Sequence, residues 1–158
     1  MRHAVYIGEH ELTIDSKNRI LVPSDVKKSM DKDRDGVGFF LVFGQNRKLW
    51  LFGERYYEEL IAREEQNLSP EAEMRPDAKT LENWHATFGM ANKLRWDGQG
   101  RILIPELMLR RTGTGRDITL VGVRNHLEIW NRDDWEVRFN QLLQAPQVSA
   151  HQAQPGQN

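Results

Sequence analysis

A nine-residue segment occurs twice in this chain, and this duplication limits the folds that the chain can adopt. The first copy, DSKNRILVP, spans residues 15–23, and the second, DGQGRILIP, begins 82 positions later and spans residues 97–105. Asp, Arg, Ile, Leu and Pro recur at identical places, and Val22 is matched by Ile104. Self-similarity of this kind indicates a duplicated structural unit.

Each copy has the pattern of a strand, a tight turn and a second strand. Residues 11–14 alternate between polar and apolar side chains, and residues 19–22 are apolar and partly β-branched, which predicts a hairpin. Asn18 in the first turn aligns with Gly100 in the second, and both residue types adopt positive φ at low cost. We therefore predict a left-handed residue just before each Arg. The proline ends the second strand because it has no N–H to donate.

The similarity continues past the motif, since each copy is followed by a short helix, two further strands and another helix. A segment of helical character separates the copies, and the last residues are rich in Gln, Pro, Ala and Gly. Such a composition predicts disorder. The predicted organisation is repeat 1 at 9–56, a helical connector at 57–90, repeat 2 at 91–134, a C-terminal helix at 135–144 and a disordered tail at 145–158.

The small size of each repeat predicts how the two repeats combine. Four short strands in about 45 residues bury too little apolar surface to fold alone. Two copies related by an approximate twofold axis can exchange hairpins and share one core. The predicted fold is therefore mainly β with helices (α+β), a pseudo-twofold swapped-hairpin β-barrel with the helices outside.

Composition excludes several classes of site. The chain has no cysteine, which rules out disulfides, thiolate zinc sites and cysteine nucleophiles. The five histidines lack the spacing of metal ligands, and no nucleophile and base pair is evident, so no metal, no cofactor and no enzymatic activity is predicted. Without a signal-peptide pattern or an apolar run of about 20 residues, the chain is expected to be cytoplasmic and not to insert into a membrane.

The net charge of −1 conceals a difference between segments. Residues 54–83 contain nine acidic and four basic side chains, so the remainder of the chain has a net charge of +4. This distribution permits a local basic surface but does not by itself demonstrate one.

The charged residues of the motif suggest a specific chemistry. Asp15 and Arg19, like Asp97 and Arg101, flank their turn at the same spacing, so a bidentate bond between carboxylate and guanidinium is expected to fix the Arg. A purely structural ion pair is the alternative for each Asp. An exposed β-hairpin carrying Lys17 and Arg19 has the width of the DNA major groove, where Arg can bond to guanine and Lys can contact a phosphate.

The duplicated D-x-x-x-R element, each copy followed by I-L-[VI]-P, resembles the MraZ family, whose halves are SpoVT/AbrB-type swapped-hairpin modules. The resemblance covers residues 5 to 143, including the central helical segment and the last helix. It implies a bacterial DNA-binding transcriptional regulator of the division and cell-wall gene cluster, including its own promoter. The resemblance also implies a cytoplasmic, nucleoid-associated protein that binds repeated DNA boxes as a ring-shaped homo-oligomer.

The resemblance also implies roles for individual residues. Its motif positions are Asp15, Arg19, Asp97 and Arg101, while Asn18 stands where the family usually has Gly. The expected DNA-binding residues are Arg19, Lys17 and Arg101, supported by Asp15, Asn18, Asp97 and Gly100. Because Gln99 replaces a basic residue in the second turn, the first turn is expected to be the principal DNA reader.

Other function classes compete with this hypothesis. An antitoxin-type protein-binding module of the same barrel fold is the main alternative, but residues 145–158 lack the apolar anchors of a segment that folds on a partner. An enzyme ranks third. The predicted partners are double-stranded DNA and other copies of the chain, with no membrane and no small-molecule substrate.

Overall fold

The computed structural model describes residues 2–145 of the chain, so most of the predicted tail lies outside the described residues. The strands in this range are β1 (Glu9–Thr13), β2 (Arg19–Leu21), β3 (Gly38–Phe43), β4 (Leu49–Gly53), β5 (Asn92–Arg95), β6 (Arg101–Leu103), β7 (Asp117–Val123) and β8 (His126–Asn131). The helices are α1 (Ser24–Ser29), α2 (Lys32–Asp35), α3 (Glu54–Glu65), α4 (Pro70–Met74), α5 (Ala78–Trp84), α6 (Glu106–Thr112) and α7 (Arg132–Gln144). None of these helices is long and apolar enough to cross a membrane.

The strands form a six-stranded antiparallel sheet, in the order β1, β7, β8, β4, β3, β5, and a separate two-stranded ribbon of β2 and β6. Exchanging each strand for its counterpart in the other repeat gives the same order, read from the opposite edge of the sheet. The first strand of each repeat pairs with the third strand of the other, so that Leu12 lies opposite Ile118 and Leu94 lies opposite Phe39. The predicted α+β class is confirmed, and three of the five strand pairings in the sheet, β1–β7, β3–β5 and β4–β8, join one repeat to the other.

The predicted closed barrel is not confirmed. The six-stranded sheet is open, with β1 and β5 at its edges, and the ribbon is not part of its ladder. The predicted hairpin within each motif is wrong beyond its turn, because β1 pairs with β7 and β2 pairs with β6. The reason is burial: pairing β2 with β6 places Ile20 opposite Ile102, and both side chains are then almost fully buried.

One apolar core fills the space between the sheet and the ribbon. Both repeats contribute to it, and the largest fully buried apolar side chains are Phe39, Ile20, Leu41, Leu49, Leu51, Ile102, Ile104, Ile118, Leu120, Leu127 and Ile129. Burying a side chain of this size contributes about 1.5–3 kcal/mol to the free energy of unfolding. Since the core requires side chains from both halves, the sheet and the ribbon are stabilised together.

In the connector between the repeats, a capping serine and two prolines set the boundaries of the short helices. Ser69 caps α4, its hydroxyl accepting a hydrogen bond from the N–H of Ala72 at 3.1 Å, and Pro70 occupies the first helical position. Helix α4 ends at Met74 and α5 begins at Ala78, and Pro76 lies in the interruption between them, where its missing N–H breaks no helical hydrogen bond. Pro76 therefore separates two short helices, α4 and α5, within the connector.

Candidate nucleic-acid interface

The first motif turn is organised by the carboxylate of Asp15. Its Oδ1 accepts hydrogen bonds from the backbone N–H groups of Lys17 and Arg19, both at 2.9 Å, and its carbonyl accepts one from Asn18 at 3.0 Å. Asn18 has a φ of 64°, which confirms the predicted left-handed residue. The Asp is thus a structural part of the turn as well as a partner of the Arg.

The second turn repeats this geometry. Asp97 Oδ1 accepts from the N–H of Gln99 at 2.9 Å and of Arg101 at 3.0 Å, and the Asp97 carbonyl accepts from Gly100 at 3.0 Å. Gly100 has a φ of 79°, so this left-handed residue is also confirmed. The duplicated sequence therefore folds into duplicated local structure.

Each motif Arg bonds to its Asp through a single carboxylate oxygen. Arg19 Nε donates to Asp15 Oδ2 at 2.8 Å, and Arg101 Nε donates to Asp97 Oδ2 at 3.0 Å. The predicted bidentate pair is not formed, because two backbone N–H groups already occupy Oδ1 of each carboxylate. As a result, the terminal nitrogens of Arg19 make no hydrogen bond with residues 2–145 and remain available to a ligand.

The same contacts keep both carboxylates ionised. The backbone N–H of Arg19 is the main cause of a lowered pKa of Asp15, and the Arg19 guanidinium lowers this pKa further. In the second turn the backbone N–H and the guanidinium of Arg101 lower the pKa of Asp97 in the same way. At neutral pH each Asp therefore carries the negative charge that orients its Arg.

The ribbon of β2 and β6 displays both arginines on one surface. Arg19 lies opposite Leu103 and Leu21 opposite Arg101, and side chains two positions apart on a strand share a face. The side chains of Arg19 and Arg101 are 26% and 28% exposed, and the two leucines are more than half exposed. The outer face of the ribbon therefore presents two guanidinium groups at diagonal positions, with backbones about 7–8 Å apart.

The two turns are held at opposite ends of the ribbon by reciprocal bonds between the repeats. The carbonyl of Gly100 accepts from the N–H of Val22 at 2.8 Å, and the carbonyl of Asn18 accepts from the N–H of Ile104 at 2.7 Å. Each left-handed residue is thus bonded to the strand of the other repeat. Lys17 is exposed at the tip of the first turn, close in sequence to Arg19. The structure brings all the predicted residues to the ribbon and its two ends.

Two basic residues at this surface were missed by the sequence reasoning. One terminal nitrogen of Arg116, Nη1, donates to the carbonyl of Asp15 at 2.8 Å and to Asn18 Oδ1 at 2.7 Å. The ammonium of Lys27 lies over the second turn, 2.6 Å from where a Cβ on Gly100 would stand. Neither residue belongs to the repeated motif or has a basic counterpart in the other repeat, so the duplication provides no signal for them.

No metal site accompanies this surface. Within residues 2–145, no group of three or more His, Asp or Glu side chains could hold a metal ion. The side chains that the ribbon and its ends offer are guanidinium and ammonium donors, which bind planar oxygen and nitrogen acceptors or phosphate.

Comparison with known proteins agrees with the repeated architecture. The model of the family described as "MraZ protein, putative antitoxin-like" matches residues 5–78 and 87–155. A protein of Clostridium tetani named transcriptional regulator MraZ is 28% identical over 152 residues, covering 96% of this chain and 99% of the relative.

Relatives from other bacteria give the same result. A transcriptional regulator MraZ of Neisseria meningitidis serogroup A is 30% identical over 136 residues, covering 86% of each chain. One from Moorella thermoacetica is 29% identical over 132 residues, covering 84% of this chain and 85% of the relative. Because the family model matches both repeats and nearly the whole length, the chain belongs to the MraZ family.

Proposed function

We propose that this protein is a transcriptional regulator that binds double-stranded DNA in a sequence-specific manner through the β2–β6 ribbon. The observation that carries the proposal is the pair Arg19 and Arg101, each oriented by a carboxylate on the shared outer face of the ribbon. The names of the relatives support a role in regulating transcription. We propose no enzymatic activity and no cofactor.

The geometry of the ribbon suggests how the duplex is read. The major groove admits a two-stranded β-ribbon, and the terminal nitrogens of Arg can bond to O6 and N7 of guanine. Leu21 and Leu103, on the same face, are suited to contact thymine methyl groups. Lys17 lies at the edge of the ribbon, where a phosphate is the natural acceptor. The motif carboxylates stay off the phosphates because their oxygens are occupied.

Titrating the protein against DNA over a salt series tests this function. We expect the duplex from the region upstream of its own gene to bind more tightly than a shuffled duplex. The logarithm of the binding constant should fall linearly with the logarithm of the salt concentration, by about 0.9 per phosphate contact. Equal affinity for the two duplexes at every salt concentration would contradict sequence-specific binding.

We propose that the two repeats, residues 9–56 and 91–134, each supply one strand of the ribbon, with the connector 57–90 and the helix 135–144 outside it. The targets proposed are the promoters of the division and cell-wall gene cluster, which implies a cytoplasmic, nucleoid-associated protein. The family resemblance supports both parts. The DNA-contacting residues are those at the ribbon and its ends: Lys17, Arg19 and Arg101, with Asp15, Asn18, Asp97 and Gly100 in support.

We further propose that several copies assemble into a ring that spans repeated DNA boxes. A chain with a net charge of −1 binds DNA weakly alone, and linking several copies multiplies modest affinities. Helix α7 supports self-assembly because Val137 and Leu143 are 59% and 62% exposed. Head-to-tail contacts between identical subunits produce rings when the rotation between subunits closes.

Replacing Val137 by Glu tests the assembly. We expect the wild-type protein to sediment as a multimer, and the Val137→Glu variant to sediment as a smaller species, because a charge on the contact surface opposes burial. Glu136→Gln, on the next residue, serves as the control and should leave the mass unchanged. A wild-type protein that sediments as a monomer at micromolar concentration would exclude the ring.

A protein-binding module of the antitoxin type is the second candidate function. The description of the family as antitoxin-like favours it. The two candidates differ in what the isolated protein binds: a module that acts only with a protein partner would not discriminate between the promoter duplex and its shuffled version.

A further inference from the structure

The base-facing surface of the ribbon is symmetric, but its two ends are not. The outer residues are Arg and Leu in both strands, Arg19 and Leu21 in β2 and Arg101 and Leu103 in β6. Rotating the ribbon by half a turn therefore presents the same side chains to a duplex. Any preference for one orientation on DNA must come from residues beyond this face.

One difference between the ends is at Arg116. Its carbonyl accepts a hydrogen bond from Ile14, the residue before the first motif, at 2.8 Å, and the carbonyl of Val37 accepts one from Trp96, the residue before the second motif, at 3.3 Å. Val37 is thus the counterpart of Arg116 in the other repeat. A cation stands at one end of the ribbon where a valine stands at the other.

Arg116 also needs a partner that only the first turn provides. It bonds to the side-chain oxygen of Asn18, whereas the equivalent residue in the second turn, Gly100, has no side chain. This bond uses Nη1, so Nε and Nη2 of Arg116 have no hydrogen-bond partner within residues 2–145. Arg116 therefore stabilises the first turn through one nitrogen and keeps its other two nitrogens available as hydrogen-bond donors.

The charges at the two ends differ accordingly. At the first turn Lys17, Arg19 and Arg116 stand against Asp15, a balance of +2. At the second turn Arg101 and Lys27 stand against Asp97, a balance of +1. A concavity of about 340 Å³ lies beside the first turn, and its charged lining residues are Arg116, Arg110 and Glu106.

We propose that Arg116 gives the DNA-binding ribbon a direction: it contacts a phosphate at the first-turn end and so fixes one orientation of the protomer on its DNA box. This inference rests on the proposed DNA-binding function. Replacing Arg116 by Met leaves a balance of +1 at both ends. The two orientations then become nearly equivalent for a ribbon whose base-facing side chains are identical.

The absence of native cysteine allows this orientation to be measured directly. Ser16→Cys and Gly98→Cys place a single thiol at equivalent positions of the two turns; Ser16 is exposed, and a side chain at Gly98 meets no atom within 4 Å. Each thiol carries an iron–EDTA chelate, which cleaves nearby DNA. The probe is the shortest duplex from the upstream region that the wild-type protein protects from cleavage.

We expect the Ser16→Cys protein to cleave one flank of this duplex and the Gly98→Cys protein to cleave the other. Adding Arg116→Met should produce cleavage on both flanks from each label and reduce the salt slope of binding by about one contact. The matched control Val37→Ala, at the equivalent position, should change neither readout.

For the Arg116→Met variant, cleavage that stays on one flank or a salt slope that does not change would overturn the proposal. Cleavage on both flanks by the protein with Arg116 intact would also overturn it. A protein that fails to discriminate this duplex from a shuffled one would instead refute the DNA-binding function itself. Thermal unfolding of Arg116→Met should match wild type, since Arg116 is exposed and its loss leaves no buried group unpaired.

Discussion

Replacing Arg19 by Ala should strongly weaken binding to the promoter duplex. Arg19 is held by Asp15 with its terminal nitrogens free to bond to a base edge, and losing such a contact costs about 1–3 kcal/mol, roughly 5- to 150-fold in affinity. If several protomers of one assembly each bind a DNA box, every protomer loses this contact and the losses in affinity multiply. An electrophoretic or anisotropy titration against the duplex and its shuffled version measures the effect.

Two further variants make this result specific. Arg75→Ala removes the same charge from an exposed position in the connector and should bind as wild type does. Arg101→Ala should weaken binding less than Arg19→Ala, because its end of the ribbon has fewer cations. The thermal midpoint of Arg19→Ala should barely move, since the ion pair is partly exposed to solvent. A large loss of stability with binding retained would show that Arg19 is structural.

Replacing Ile20 by Ala should cause a large loss of stability. Ile20 is 1% exposed and packs opposite Ile102 beneath the ribbon, so truncation leaves a cavity in the shared core. Such substitutions cost about 2–5 kcal/mol, a large fraction of the roughly 5–15 kcal/mol that stabilises a typical domain. Urea denaturation followed by tryptophan fluorescence measures this change.

The neighbouring residue provides the control. Leu21 lies on the outer face of the same strand and is 55% exposed, so Leu21→Ala should change the free energy of unfolding by less than about 0.5 kcal/mol. Similar losses for the two variants would mean that the ribbon has no buried face and that the described packing is incorrect.

Local features of the fold could be predicted from the sequence because short-range interactions determine them. The left-handed residues at Asn18 and Gly100 follow from the steric tolerance of Asn and Gly. The cap at Ser69 and the interruption at Pro76 follow from hydrogen bonds that a helix end needs and a proline cannot make. The duplication itself predicted that the two turns would have the same geometry.

Long-range pairing was harder to predict because strand alternation does not identify the partner strand. The alternating pattern of residues 11–14 is satisfied equally by a local hairpin and by pairing with β7, and only burial of the common core favours the second. The prediction of a closed barrel failed for the same reason, because the strand pattern does not show which strands become neighbours. Arg116 was missed for a related reason: it lies about 100 residues from the turn it bonds to, and it belongs to no repeated pattern.

The pairing of β2 with β6 has a consequence for synthesis of the protein. The two strands are separated by 82 residues, so at about 5–20 residues per second a nascent chain carries β2 without its partner for roughly 4–16 s. During this interval the apolar edge around Ile20 is unpaired and open to association with other nascent chains. A translation product that ends before residue 101 would therefore lack the ribbon, because β2 would have no partner strand.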